Sequence, residues 1–167
     1  RFTHFADVMS KALGDRVDHW ITHNEPWVVA TLGYWNGEHA PGIADPKLAL
    51  RAAHHILLSH GAAVPVIRAN APKAKVGITV NLCPAIAASE SEADRVALQQ
   101  FDGFFNRWYL DPLHGRGYPK DQVEHYEAEG HLPNGLDFVQ DGDLATIAVD
   151  TDFLGINYYS RGIIRSD

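Results

Sequence analysis

The stretch His19-Trp20-Ile21-Thr22-His23-Asn24-Glu25-Pro26-Trp27 changes character at its sixth residue. Its first part is aromatic and β-branched. Its second sets an amide, a carboxylate and a proline in succession. Val17 to His23 reads as a short strand, because such side chains suit a pleated, half-buried surface. Pro26 has no N–H to give a ladder, so the strand ends there. The strand therefore carries Glu25 to its carboxyl end, an ionisable acid at the tip of an apolar segment with Trp27 just beyond.

Upstream, Phe2, Phe5, Met9 and Leu13 follow helical spacing, with Gly14 as the expected C′ stop. Downstream, Pro26 to Asp45 reads as a long irregular connection. At about 20 residues it exceeds ordinary connections, which points to a functional loop or one with structure of its own. Asp45-Pro46 has the N-cap and N1 chemistry of a helix running to about Asn70. Its expected buried stripe is Leu48, Ala52, Ile56, Ala63 and Ile67, and Pro65 is expected to kink or split it. Lys75 to Leu82, "KVGITVNL", is the second strand, closed by Pro84. Ser89 and Glu92 have capping-box spacing for a helix to about Trp108, with Ala93, Ala97, Phe101, Phe104 and Trp108 on one side. A turn at Gly117 to Pro119 precedes a short helix at about 120–129. Leu144 to Val149 reads as helical, and Asp152 to Tyr159, "DFLGINYY", as the third strand. Strands separated by helical crossovers imply parallel pairing in an α/β fold. No repeat or linker divides the chain, so residues 1–167 are read as a single domain segment.

Composition bounds the function. The chain has 167 residues, 46% of them hydrophobic, enough for one core. Net charge is −7 and no basic run offers a phosphate footprint, so no nucleic-acid partner is expected. No apolar run reaches the roughly 18 residues of a membrane span. The single cysteine, Cys83, allows no intrachain disulfide and fits a reducing, cytoplasmic setting. His54, His55 and His60 share a helix without a ligand set that completes a tetrahedron, so neither metal nor cofactor is expected.

All three strands end in polar groups: Asn24-Glu25, Asn81, and Asn157 with Tyr159. Singly, the asparagines read as turn formers and the tyrosine as an edge residue. Together they match α/β barrels, whose sites form at the carboxyl ends of the strands. Side chains alternate along a strand, so Phe153, Gly155, Asn157 and Tyr159 share one face.

"ITHNEPW" resembles the Thr-Phe/Leu-Asn-Glu-Pro signature of family 1 glycoside hydrolases, the β-glucosidases and their relatives. "LGYWNGEHAPG", "AAHHILLSHGAAV", "KVGITVNL", "FFNRWYLDPLHGRGYP" and "DFLGINYYSR" resemble the same family in the same order, across essentially the whole chain. The resemblance implies a partial (β/α)8 TIM barrel with parallel strands, covering about strands four to six of eight. It also implies retaining hydrolysis of β-glycosides. Carried over by position, Glu25 would be the general acid/base. Asn24 would bind the sugar 2-hydroxyl, Tyr159 would bond the nucleophilic carboxylate, Asn157 would line the site and Asn81 would lie toward the aglycone. Trp27 and the loop to Gly42 would shape the mouth.

That chemistry accounts for an acid at a strand tip. A glycosidic oxygen is a poor leaving group and must be protonated as its bond breaks. The acid must stay protonated near neutral pH, through desolvation or a neighbouring carboxylate about 5–5.5 Å away. The family's nucleophile lies in an Ile/Val-Thr-Glu-Asn-Gly block that this sequence does not contain. The implied partners are a β-glucoside or oligosaccharide substrate and a complementing chain segment or a second copy. The alternative reading is a catalytically inactive half-barrel that binds carbohydrate or self-associates.

Overall fold

The computed structural model describes residues 1–166. Three parallel strands form the sheet: β1 (His19–Asn24), β2 (Lys75–Leu82) and β4 (Phe153–Tyr158), in the order β1-β2-β4. The chain between them forms helices α1 (Phe2–Leu13), α2 (Pro26–Ala30), α3 (Pro46–Asn70), α4 (Glu92–Asp102), α5 (Trp108–Leu113), α6 (Lys120–Ala128) and α7 (Asp143–Ile147). A smaller parallel pair, β3 (Ala85–Ala87) with β5 (Gly162–Ile164), lies just past the ends of β2 and β4. The sequence gives no hint of it, because three residues are too few to show a period. No helix among the described residues is long and apolar enough to cross a membrane.

The two faces of the sheet differ as a barrel segment requires. Val76, Ile78 and Val80 of β2 are buried on the helix side. There Val76 joins Ala6, Ala63, Val64 and Ile67, while Ile78 joins Leu57, Trp108 and Ile147. The opposite face carries Gly77, Thr79 and Asn81, paired in register with Phe153, Gly155 and Asn157. Large groups meet glycine across each of the lower layers. A Cβ on Gly77 would fall 2.7 Å from the Phe153 ring, and one on Gly155 2.3 Å from Thr79 Oγ1.

Several helical expectations are corrected. Residues 26–35 are not irregular but helical, with α2 running into a π-helical turn over Thr31–Trp35. α3 passes unbroken through Pro65, which faces solvent while Val64 and Ile67 stay anchored in the core. Its buried stripe is Leu50, Ala53, His54, Leu57, His60, Ala63, Val64 and Ile67, and Leu48 is exposed. The difference arises because small residues and two histidines occupy the packed face. The cap of α4 is Ser91, whose Oγ accepts from the Asp94 N–H, while Ser89 Oγ donates to the Asp94 carboxylate. The helix expected to reach Trp108 is interrupted by a π-helical turn at Gly103–Arg107. Gly14 is right-handed (φ −66°), not left-handed; a Cβ there would fall 2.9 Å from that of Ala71. Close packing of α1 on the end of α3 is what requires the glycine.

Candidate active site

Glu25 reaches its place through two irregularities. Between Ile21 and Asn24, β1 advances three residues while β2 advances two, from Gly77 to Thr79. This is a β-bulge, which puts successive side chains on one side. Thr22 Oγ1 lies 2.7 Å from His60 Nδ1, and His23 Nε2 lies 2.8 Å from Ser59 Oγ, so both reach α3. His23 also stacks on Phe2 of α1 at 4.1 Å. Asn24 is thereby turned to the opposite face. At the next residue the backbone becomes left-handed: Glu25 has φ 52°, the sole non-glycine residue with positive φ among the described residues. Its N–H donates to Thr79 O at 2.8 Å, and its carbonyl accepts from Val28 N at 2.9 Å, opening α2.

Asn157 completes the group. Its Nδ2 donates to Glu25 Oε1 at 2.7 Å and to Asn24 Oδ1 at 3.1 Å. One amide therefore joins the ends of β1 and β4 across β2. Asn81, in register with Asn157 on β2, is 8% exposed, and its Oδ1 is buried with no partner. Tyr159 is 82% exposed and lines a cavity together with Asn81. Trp27 is half-buried in an aromatic cluster, 4.4 Å from Phe105 and 5.8 Å from Phe104 between ring centres. Glu25, Asn24 and Asn157 are brought into direct contact; Asn81 and Tyr159 stand beside them, and Trp27 packs behind.

The sequence reading missed Asn106. Buried in the π-helical turn, it accepts from the Cys83 N–H and donates to the Cys83 carbonyl, each at 3.1 Å. It pins the chain two residues past Asn81. The block "FFNRW" contained it, but nothing in that spacing distinguishes a clamp from a surface amide. Below the site, burial lowers His23 and His60 to about 4, which keeps both neutral. Burial also lowers His54, opposed by its bond to Asp143. Asp152 sits at the amino end of β4, where the Val76 N–H, Arg68 and Lys75 hold it well below the ordinary carboxylate range. No cluster of metal-ligating side chains occurs among the described residues.

Parallel strands joined by helices, with a carboxylate and amides gathered at the carboxyl ends, define a segment of an α/β barrel. The family model described as "Glycosyl hydrolase family 1" matches residues 1–167. Beta-glucosidase A of Acetivibrio thermocellus is 41% identical over 99% of this chain and 36% of its own length. A solved β-glucosidase from Exiguobacterium marinum superposes with a TM-score of 0.91 at 47% identity, covering 97% of this chain and 36% of that one. The β-glucosidase from Thermotoga maritima, solved in complex with glucoimidazole, superposes with a TM-score of 0.85 at 38% identity, over 96% and 35%. The chain belongs to glycosyl hydrolase family 1. It spans about a third of the length of the relatives it matches.

Proposed function

We propose that this chain supplies the acid/base side of a retaining β-glycosidase site acting on β-glucosides. The observation that carries the reading is the two-pronged contact of Asn157 with Glu25 and Asn24. It holds a carboxylate and an amide on one face at the carboxyl rim of a barrel segment. In this reading Glu25 protonates the glycosidic oxygen as the bond breaks, then takes a proton from water in the second step. Asn24 holds the sugar 2-hydroxyl, Asn157 fixes both groups and Tyr159 faces the nucleophile. That nucleophile must come from another strand, since Asp152 is engaged at the opposite end of β4. Relatives named β-glucosidases, one of them solved with glucoimidazole, support the substrate class.

Residues 1–167 exchanged into the Thermotoga maritima barrel test this. The exchanged barrel should hydrolyse an aryl β-glucoside. Glu25→Gln should lower kcat/KM by about 10²–10⁴-fold, the contribution expected of a positioned acid. The loss should shrink for aglycones acidic enough to leave unprotonated. Parental kcat/KM in Glu25→Gln would refute the assignment.

A second reading is a half-barrel that binds carbohydrate or associates with a complementing segment or a second copy. The observation behind it is exposed apolar surface on the edge strands: Ile21, Ile156 and Tyr158 are each more than half exposed. Saturable sugar binding by the isolated chain, with an inert exchanged barrel, would favour it.

A further inference from the structure

A cavity of about 390 Å³ lies on the helix side of the sheet near the amino end of β4, away from the rim that holds Glu25. Its volume falls within the range of small-molecule sites. Its walls come from β2, α3 and β4, and from the two stretches that leave the carboxyl ends of α5 and α7. Ile78, Leu113, Val149 and Leu154 give it an apolar lining. His60 is fully buried, whereas His114 and Asp150 are exposed, so the lining runs from a closed inner end to an open mouth. Asp150 is its one carboxylate, and no lysine or arginine joins it.

The inner end holds an unsatisfied group. Thr22 Oγ1 donates to Gly77 O at 3.3 Å. A hydroxyl has one proton to give, so the 2.7 Å contact between Thr22 Oγ1 and His60 Nδ1 runs from the ring to the oxygen. Burial keeps the ring neutral, so its single N–H proton sits on Nδ1. Nε2 is then a bare acceptor, buried and without a partner among the described residues. Leaving such a group unmet is costly, so it calls for a donor from outside the chain. At the mouth, His114 Nδ1 donates to Leu110 O at 2.8 Å, which makes its Nε2 an acceptor too. The two ends of the cavity both ask for donors, and the outer end adds a negative charge.

We propose that this cavity binds a small amino alcohol, its hydroxyl donating to His60 Nε2 and its ammonium meeting Asp150 at the mouth. The carbon chain between them lies against the apolar lining. A neutral hydroxyl suits the inner end, because a buried ammonium would lose hydration that one imidazole cannot replace. The ammonium stays at the wet end. An anion would meet Asp150 with like charge and find no cation. Nothing in this depends on hydrolysis at Glu25.

Nuclear magnetic resonance of isotope-labelled histidine nitrogens reads the site directly, at about pH 8, above the ordinary imidazole range. In the free chain, His60 Nε2 should resonate as an unprotonated nitrogen. Adding 5-aminopentanol should move that resonance saturably toward the protonated range. Pentylamine, which lacks the hydroxyl, should bind about fivefold more weakly, the worth of one hydrogen bond. Pentanol, which lacks the ammonium, should bind about threefold more weakly, as expected for an exposed ion pair. Asp150→Asn, at an exposed position, should abolish the preference for 5-aminopentanol over pentanol. Glu25→Gln should leave the titration unchanged, which separates this cavity from the carboxylate rim. A protonated Nε2 in the free chain or no saturable shift would overturn the proposal. So would a preference indifferent to Asp150→Asn, or a titration lost in Glu25→Gln.

Discussion

Gly155→Ala tests whether the layer beneath the site sets the distance between β2 and β4. The new Cβ would stand 2.3 Å from Thr79 Oγ1 and 3.0 Å from Thr79 Cβ, where ordinary contact begins at 3.4 Å. Relief requires β4 to withdraw by about 1 Å, the difference between those distances. Thr79 cannot swing aside, because it is β-branched and 5% exposed. Such overpacking costs about 1–3 kcal/mol. Replacing a strand glycine returns about 0.5–1 kcal/mol of backbone entropy. Steric cost wins, leaving a net loss of about 1–2 kcal/mol and a Tm lower by about 2–8 °C for a chain of this size. Thr79→Ala should relieve the worst of these contacts, leaving Cβ against Cβ at 3.0 Å, which a shift of a few tenths of an ångström absorbs. Its Oγ1 is buried without a partner, so removing it forfeits no hydrogen bond, and the loss is about 1 kcal/mol for one buried methyl. The double variant should be no less stable than Thr79→Ala alone, a coupling of about 1–2 kcal/mol between touching residues. Urea unfolding followed by fluorescence of the four tryptophans reads all three variants. Strict additivity, or a Gly155→Ala variant as stable as the parent, would refute the contact.

Acid should destabilise the chain in a window set by its buried histidines. Burial depresses His60 from 6.5 to about 4, so the neutral form favours the fold. That contribution is full above about 6.5 and is lost as pH falls toward 4. His60→Gln should flatten the dependence of urea stability on pH across this window by up to about 1.4 kcal/mol per pH unit, one proton's worth. Asn106→Leu should cost about 2–4 kcal/mol by leaving the Cys83 N–H and carbonyl unpaired, and should speed hydrogen exchange at the Cys83 amide selectively.

The sheet was legible because its signals were local. Lys75 to Leu82 is an apolar run bounded by polar residues, and Asp45-Pro46 caps α3 as read, with Asp45 accepting from the Lys47 and Leu48 N–H groups. The meeting of Asn24, Glu25 and Asn157 was legible as a position, because the carboxyl ends of parallel strands share one rim. What escaped depends on contacts between distant segments. α3 buries His54 because Tyr118 and Asp143 satisfy both of its ring nitrogens, and no helical periodicity ranks a histidine as core. Asn106 acts on a residue 23 positions away. The π-helical turn at Gly103–Arg107 shifts the phase of the stripe drawn through Phe104 and Trp108, and Ala93, placed on the same stripe, is exposed in the first turn of α4.

Strict alternation along β1 could not have produced the observed site. In a regular strand Asn24 and Glu25 point to opposite faces, and Asn24 shares a face with Thr22. Thr22, however, is bonded to α3, whereas Asn24 meets Asn157 on the other side. The bulge reverses Asn24 without moving Thr22. Continuing regularly from there would send Glu25 back among the helices. The left-handed turn at Glu25 breaks alternation a second time, so two consecutive residues face one partner. Holding a non-glycine residue there costs about 1–3 kcal/mol. The Glu25 N–H bond to Thr79 and the Val28 N–H bond to the Glu25 carbonyl offset it at about 1 kcal/mol each. Pro26, already fixed near helical φ, lets α2 begin at once. The sequence Asn-Glu-Pro thus specifies a geometry as well as a set of functional groups: an amide, an acid bent out of the strand's period, and a proline that makes the bend permanent.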